Sequence, residues 1–324
     1  MKTNNNKENI FIVGPLPPPI GGVGIYLERF IEKNKDKYHV KLLDYSKLNK
    51  FRQLLSLIFM VLIPFKGSIY VNHINTLIFL SLLIRPYPNH LIFYDHNFRF
   101  MERLNKTGQK IFKSFLLKTD EIHVVNEVII DYYAKYGLDI RKKTKLKLPF
   151  LPPIIHQESS IVETYPPYIK DIISGKNMLL VANAFRLEFY QNTDLYGADI
   201  CIELTKMLVK KYAQLKFIFF VSKVENPYHR EISERIVSYN LSESFYLLTG
   251  QYQFWPILKY CDLFIRPTCT DGDAISIREA LYFKKPVVAS DVVSRPDGVS
   301  LFKNRDINDL YKKALVILEK KFKN

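Results

Sequence analysis

Two carboxylates near the C-terminal end are spaced as though they serve one site. Asp271 and Glu279 stand eight residues apart in the run Arg266-Pro267-Thr268-Cys269-Thr270-Asp271-Gly272-Asp273-Ala274-Ile275-Ser276-Ile277-Arg278-Glu279-Ala280-Leu281. Leu263–Ile265 reads as a short buried strand, and Ile277, Ala280 and Leu281 mark the apolar face of the helix that follows. Val287–Ala289 then reads as the next strand. In a strand–loop–helix–strand unit a ligand sits at the carboxyl end of the strand. One acid from the loop and one from the helix can both face that point. The N–H groups of Ala274, Ile275 and Ser276, near the helix start, would point at an anion there.

Three further groups carry possible chemistry. Strand Ile10–Gly14 runs into Pro15-Leu16-Pro17-Pro18-Pro19-Ile20-Gly21-Gly22-Val23-Gly24, followed by an amphipathic helix through Tyr26, Leu27, Phe30 and Ile31. A glycine-rich turn opening a helix suits a phosphate, and it equally suits a tight turn with no ligand. It has neither the ending of a P-loop nor the dinucleotide pattern. Asp95-His96-Asn97 follows strand Leu91–Tyr94, while Asn72-His73 ends the preceding strand. Either histidine could serve as a hydrogen-bonding or proton-handling residue. Asp271-Gly272-Asp273 spells a D-x-D pair of the kind that holds a divalent metal.

The elements around these residues alternate. Strand-like runs at Tyr38–Leu43, Ser68–Asn72, Leu91–Tyr94, Glu121–Val125 and Thr144–Leu148 are separated by helical patterns, and so are Asn177–Ala182, Leu215–Val221, Phe245–Leu248 and Leu263–Ile265. Such alternation predicts an α/β protein with parallel sheets covered by helices on both faces. A chain of 324 residues is long enough for two domains. Pro149-Phe150-Leu151-Pro152-Pro153 interrupts the pattern, which places domains at 1–150 and 151–324. Cys201, Cys261 and Cys269 have no paired spacing, so they imply neither a metal site nor a disulfide framework and fit a reducing cytoplasm. Met1–Glu8 is polar, and no signal peptide is expected from it.

The residues from Arg266 to Ser290 resemble the retaining glycosyltransferases of the two-Rossmann-domain (GT-B) type, family 4. The family signature is an acid, seven residues, a glutamate and then a Pro-Val-Val-Ala strand, matched here by Asp271, Glu279 and Pro286-Val287-Val288-Ala289. Asp271 stands where the family usually has glutamate, and Asp273-Ala274 where it usually has Phe-Gly. The resemblance implies two Rossmann-like domains facing a central cleft, the first binding acceptor and the second a nucleotide sugar. It puts Glu279 on the ribose hydroxyls and Asp271 on the donor sugar, as a catalytic residue with His96. Arg186, Asp273 and the Ala274–Ser276 amides would hold the donor, with Gly21, Gly22 and Gly24 between its diphosphate and the acceptor. The family's phosphate-binding lysine, just before a glycine, is replaced by Tyr196-Gly197, which leaves Arg266 or Arg295 to compensate. The implied reaction retains anomeric configuration without a metal or other cofactor. It moves a sugar to a lipid-linked or polysaccharide acceptor, as in lipopolysaccharide and other cell-surface glycans. An epimerase of the same fold and a catalytically silent nucleotide-sugar-binding relative are the alternatives.

Charge is distributed unevenly. Residues 1–155 carry 24 Lys and Arg against 12 Asp and Glu, and residues 156–324 carry 23 against 20. The first half therefore suits an anionic partner, and with no nucleic-acid motif present that partner is expected to be a membrane. The apolar run Leu54–Ile63 is too short to span a bilayer and reads as a buried helix rather than an interfacial one. Arg99, Arg103, Lys106, Lys110 and Lys113 follow helical spacing beside Met101, Leu104, Ile111, Phe112 and Phe115. That basic amphipathic pattern fits a helix lying on anionic headgroups at the inner face of the plasma membrane, or one docked by its apolar side.

Overall fold

Short strands alternating for the most part with helices build two parallel six-stranded sheets. The computed structural model describes residues 7–322 apart from 19, 97, 149, 224–226 and 273. Contacts divide the chain into two units, one of Met1–Pro17 with Gly22–Leu151 and one of Pro18–Gly21 with Pro152–Asn324. Pro149 of the expected linker lies outside the described residues.

The first unit runs β1 (Glu8–Val13), α1 (Gly22–Lys33), β2 (Tyr38–Leu43), α2 (Lys50–Leu62), β3 (Ser68–Val71) and α3 (Thr76–Ile84). It continues with β4 (His90–Asp95), α4 (Lys106–Lys118), β5 (Glu121–Val124), α5 (Val128–Ala134) and β6 (Thr144–Leu146). Strand order is β2-β1-β3-β4-β5-β6, so the chain reverses direction between β1 and β3. The central strands are buried on both sides, through Ile12, Val71, Phe93 and Val124 among others. Asn49, Asn75 and Asn105 cap α2, α3 and α4 by accepting from backbone N–H groups of the first turn.

The second unit opens with α6 (Glu158–Glu163), α7 (Pro167–Ser174), β7 (Met178–Arg186), β8 (Phe189–Tyr190), β9 (Thr193–Asp194), α8 (Ala198–Leu208) and β10 (Leu215–Lys223). Then come α9 (Pro227–Ser238), β11 (Phe245–Thr249), α10 (Trp255–Tyr260), β12 (Leu263–Arg266), α11 (Ile275–Tyr282), β13 (Val287–Ser290), β14 (Val299–Phe302) and α12 (Ile307–Phe322). The order β11-β10-β7-β12-β13-β14 puts the reversal between β7 and β12. β14 and the β8–β9 hairpin are absent from the sequence reading. The hairpin turns on Gln191 and Asn192, both with positive φ, without the glycine that usually signals such a turn.

One helix departs from the burial expected of its sequence, and a second stretch takes one of its two expected roles. The run expected to be buried forms α2, yet Phe51, Leu54, Ile58, Phe59, Leu62 and Ile63 are exposed and Met60 is the buried residue of the helix. The cause is position: α2 follows the edge strand β2, which has no buried residue, so little sheet lies beneath the helix. The basic amphipathic stretch, read as either a membrane face or a helix docked by its apolar side, is broken at Asn105, which starts α4 after a separate short turn over Phe98–Arg103. Met101, Phe112 and Phe115 are fully buried, so the apolar side of that stretch belongs to the core.

Candidate functional site

In the second unit the site residues gather where the sheet reverses. β12 ends at Arg266, whose Nη1 donates to Asn183 O on the neighbouring β7 at 3.0 Å. The rest of its guanidinium forks onto Asp271, Nε to Oδ2 at 3.0 Å and Nη2 to Oδ1 at 3.1 Å. Arg295 Nη1 donates to Asp271 Oδ2 at 2.8 Å, and Thr268 Oγ1 donates to the same oxygen at 3.1 Å. Gly272 N adds a fifth donor at 3.0 Å. Burial alone would raise the Asp271 carboxyl, but Arg266 and then Arg295 outweigh it and hold it down at about 2. The carboxylate is thus ionised and saturated, and the trio it forms with the two arginines has one positive charge in excess. Neither arginine partner is apparent from spacing, since Arg295 lies 24 residues downstream.

The turn before α8 is fitted against the same loop. Asp194 accepts from the N–H groups of Tyr196, Gly197 and Asp199 and from Tyr228 Oη, which fixes the start of α8. Gly197 has φ +69, and a Cβ there would lie 2.7 Å from Pro267 O, so only glycine allows this approach. Cys269 N donates to Leu195 O at 3.0 Å and closes the contact. Tyr196, at the position where the resemblance leads one to seek a lysine, is overlain by the Arg266 guanidinium at 5.3 Å from its ring.

α11 starts at Ile275 with Ala274 as its extended N-cap residue and no acid in its first turn. The first N–H groups of a helix have no acceptor within it, and those of Ala274, Ile275 and Ser276 lie at this end of α11. Asp273 lies outside the described residues. Glu279, in the same helix, is buried, and its charge adds to burial in pushing the Tyr165 phenol up. Arg186 closes β7 at the same end of the sheet, half-exposed, with Nε donating to Glu188 Oε2 at 2.7 Å. Among the described residues no group of three or more His, Cys, Asp and Glu could hold a metal ion.

Gly21 groups with the second unit, where a Cβ on it would be 3.9 Å from Phe185, and Ile20 N donates to Gln251 Oε1 at 2.7 Å. Gly22 and Gly24 belong to the first turn of α1 in the first unit, and a Cβ on Gly24 would press on Pro17 at 3.3 Å.

His96 follows β4 in the first unit. Its ring stacks on Tyr94 at 3.9 Å and meets the edge of Tyr26, on α1, at 5.4 Å. Burial pushes His96 down to about 3, so the imidazole is neutral near pH 7. Its Nε2 lies 3.0 Å from Asn72 Oδ1, and because that oxygen only accepts, Nε2 carries the proton. Asn72 is buried at the end of β3 with Nδ2 unpartnered among the described residues. Asn97 lies outside them. His73 is set apart, half-buried beside the Tyr45 ring at 6.1 Å.

A parallel six-stranded sheet in each of two units, each reversing between inner strands, is the α/β architecture of the GT-B glycosyltransferases. Residues 189–320, within the second unit, match the family model described as Glycosyl transferases group 1. Among solved structures the chain is similar to Anabaena Alr3699/HepE in complex with UDP, at a TM-score of 0.70 and 16% identity over 98% of this chain and 91% of that one. It is also similar to a glycosyltransferase from Rickettsia africae, at 0.65 and 12% over 98% and 89%. Sucrose-phosphate synthase from Thermosynechococcus elongatus gives 0.65 and 14% over 96% and 90%. No curated protein matches by sequence.

Proposed function

We propose that the chain is a retaining glycosyltransferase that takes a sugar from a nucleotide-sugar donor bound by the second unit. The observation that carries this reading is the loop from Arg266 to Ala274, where Arg266, Arg295 from the loop after β13, and the start of α11 converge beside an ionised Asp271. It stands inside the segment matched to the glycosyltransferase family model. As the glycosidic bond breaks, charge builds on the leaving diphosphate, and preorganised cations and N–H groups lower the barrier at that point. Arg266, set over Tyr196, supplies the cation that a lysine before Gly197 would otherwise bring. The Ala274–Ser276 amides complete the anion site, and Arg186 joins them by exchanging Glu188 for phosphate. Glu279 accepts hydrogen bonds from the ribose hydroxyls.

Asp271 keeps both arginines in place and takes a hydroxyl of the donor sugar by giving up one of its five donors. His96, neutral in the fold, works as a hydrogen-bonding group for sugar or acceptor in the first unit and not as a proton donor. The acceptor is a lipid-linked or polysaccharide glycan, bound by the first unit at the inner face of the membrane. The reaction needs no metal. Alr3699/HepE was solved with UDP, which makes uridine the first base to try.

A second reading, a silent donor-binding relative, draws on the saturation of Asp271 and on the pairing of Arg186 with Glu188. Incubation with a panel of nucleotide sugars, with and without chelator, separates the two. Release of nucleoside diphosphate that survives chelation supports a metal-independent transferase. Binding without release from any donor supports the silent relative.

A further inference from the structure

The first unit has one surface that combines exposed apolar side chains with a run of sequence free of carboxylates. Between Asp44 and Asp95 the chain contains no Asp or Glu, while it carries Lys47, Lys50, Arg52, Lys66 and Arg85. α4 also lacks acids and adds Lys106, Lys110, Lys113 and Lys118. The strands β2, β1, β3, β4 and β5 are placed so that the crossovers through α2, α3 and α4 all advance the same way along the sheet. Right-handed crossovers then set these three helices on one side of it. α3 packs between α2 and α4. The helix ends are tied together, since Arg85 Nη1 donates to Met60 O, and Lys118 Nζ donates to Leu82 O and Leu83 O at 2.8 Å. Tyr87 Oη adds a bond to Leu62 O at 3.0 Å. The outer surface of this layer is therefore fixed in shape.

Its centre is apolar. Phe51, Leu54, Ile58 and Leu62 recur at three- and four-residue spacing along α2 and point away from the buried Met60. Leu77, Leu80 and Ile84 do the same along α3, whose other side buries Ile78, Phe79 and Leu82 in the core. These seven side chains are 38–69% exposed, where a helix covered only by water would present polar residues. Around them Lys50, Arg52, Lys66, Lys106 and Lys110 are exposed and make no ion pair among the described residues.

We propose that the α2–α3 layer, rimmed by the lysines of α4, is the surface by which this protein lies on an anionic lipid bilayer. Apolar side chains at the centre enter the boundary between headgroups and acyl chains, and the rim meets lipid phosphates. The charge pattern selects this occupant. A second copy of the chain would set the same unpaired cations against each other, whereas an anionic headgroup layer supplies the counter-charge that the protein itself omits. No helix among the described residues is long and apolar enough to cross a membrane, so the contact is peripheral. The inference gives a location to the membrane attachment in the proposed function, and it is measured without donor or acceptor.

The test is sedimentation of the full chain with vesicles of equal parts phosphatidylglycerol and phosphatidylcholine, and with phosphatidylcholine alone. Binding to the anionic vesicles that weakens with salt is expected. It should fall about tenfold or more in the variant Leu54→Gln, Ile58→Gln, Leu62→Gln, Leu77→Gln, and by a comparable factor in Lys50→Gln, Arg52→Gln, Lys106→Gln, Lys110→Gln. Every replaced side chain is exposed and glutamine favours helix, so an unchanged melting temperature is expected of both variants. Wild-type protein that stays in the supernatant, or variants that bind as wild type does, overturn the proposal. So does a dimer that the apolar variant converts to monomer while vesicle binding stays unchanged. Donor turnover measured without vesicles reports separately on the glycosyltransferase reading.

Discussion

Asp271 joins a sequence signal to a network the sequence conceals. Its spacing from Glu279 and the strand beyond are readable in the chain, but its arginine partners come from β12 and from a loop after β13. Replacing it by asparagine leaves two buried guanidinium groups facing one neutral amide, which should cost about 3–5 kcal/mol in denaturant unfolding near pH 7. The acid limb gives a second check. The Asp271 carboxyl is depressed in the fold, so its stabilisation is present above its unfolded value near 4 and is lost as pH falls toward about 2. Wild type should therefore lose about 2 kcal/mol more than Asp271→Asn between pH 4 and 2, measured by melting at each pH. His96 is also depressed, but as a base, so protonation favours the unfolded chain and stability declines as pH drops from about 6.5 toward 3. Its ring resonances in the folded protein should stay unshifted from pH 8 to pH 5. A titration midpoint near 6.5 would show the imidazole to be solvated.

At the scale of elements, Gly197 offers the sharpest prediction. Gly197→Ala forces a left-handed backbone on alanine and drives a Cβ to within 2.7 Å of Pro267 O. Gly137 shares a positive φ, +74, but a Cβ there meets nothing within 4 Å. Unfolding in urea should cost the Gly197 variant about 2–4 kcal/mol and the Gly137 variant about 1 kcal/mol. Equal costs would mean that the turn before α8 does not depend on close approach to the Pro267 loop. Every strand expected from apolar runs is present, and the central ones announce themselves by composition because they are buried. β14 was not legible, since at the sheet edge only Phe302 of Val299–Phe302 is buried. α2 departs from its expected burial for a related reason. A helical pattern shows which side chains share a face, and sheet order decides which faces find a sheet beneath them.

For the molecule as a whole, the two halves separate charge from chemistry. The first unit is strongly cationic and its α2–α4 layer omits carboxylates, while the second is nearly balanced and pairs its arginines with specific acids. The charge excess of the first half was legible in the sequence. The surface that displays it was not, because that depends on three crossovers sharing one side of a sheet. The account rests on the second unit turning over a nucleotide sugar through the loop and helix that hold Asp271 and Glu279. Initial rates of nucleoside diphosphate release from uridine diphosphate sugars, compared between wild type and Glu279→Gln, test this most directly. The account predicts turnover by wild type and a kcat/KM lowered about tenfold to a hundredfold in the variant, chiefly through KM, as expected when a charged hydrogen bond to the nucleotide is lost. Turnover that is indifferent to Glu279→Gln, or no turnover from any nucleotide sugar in the panel, would contradict it.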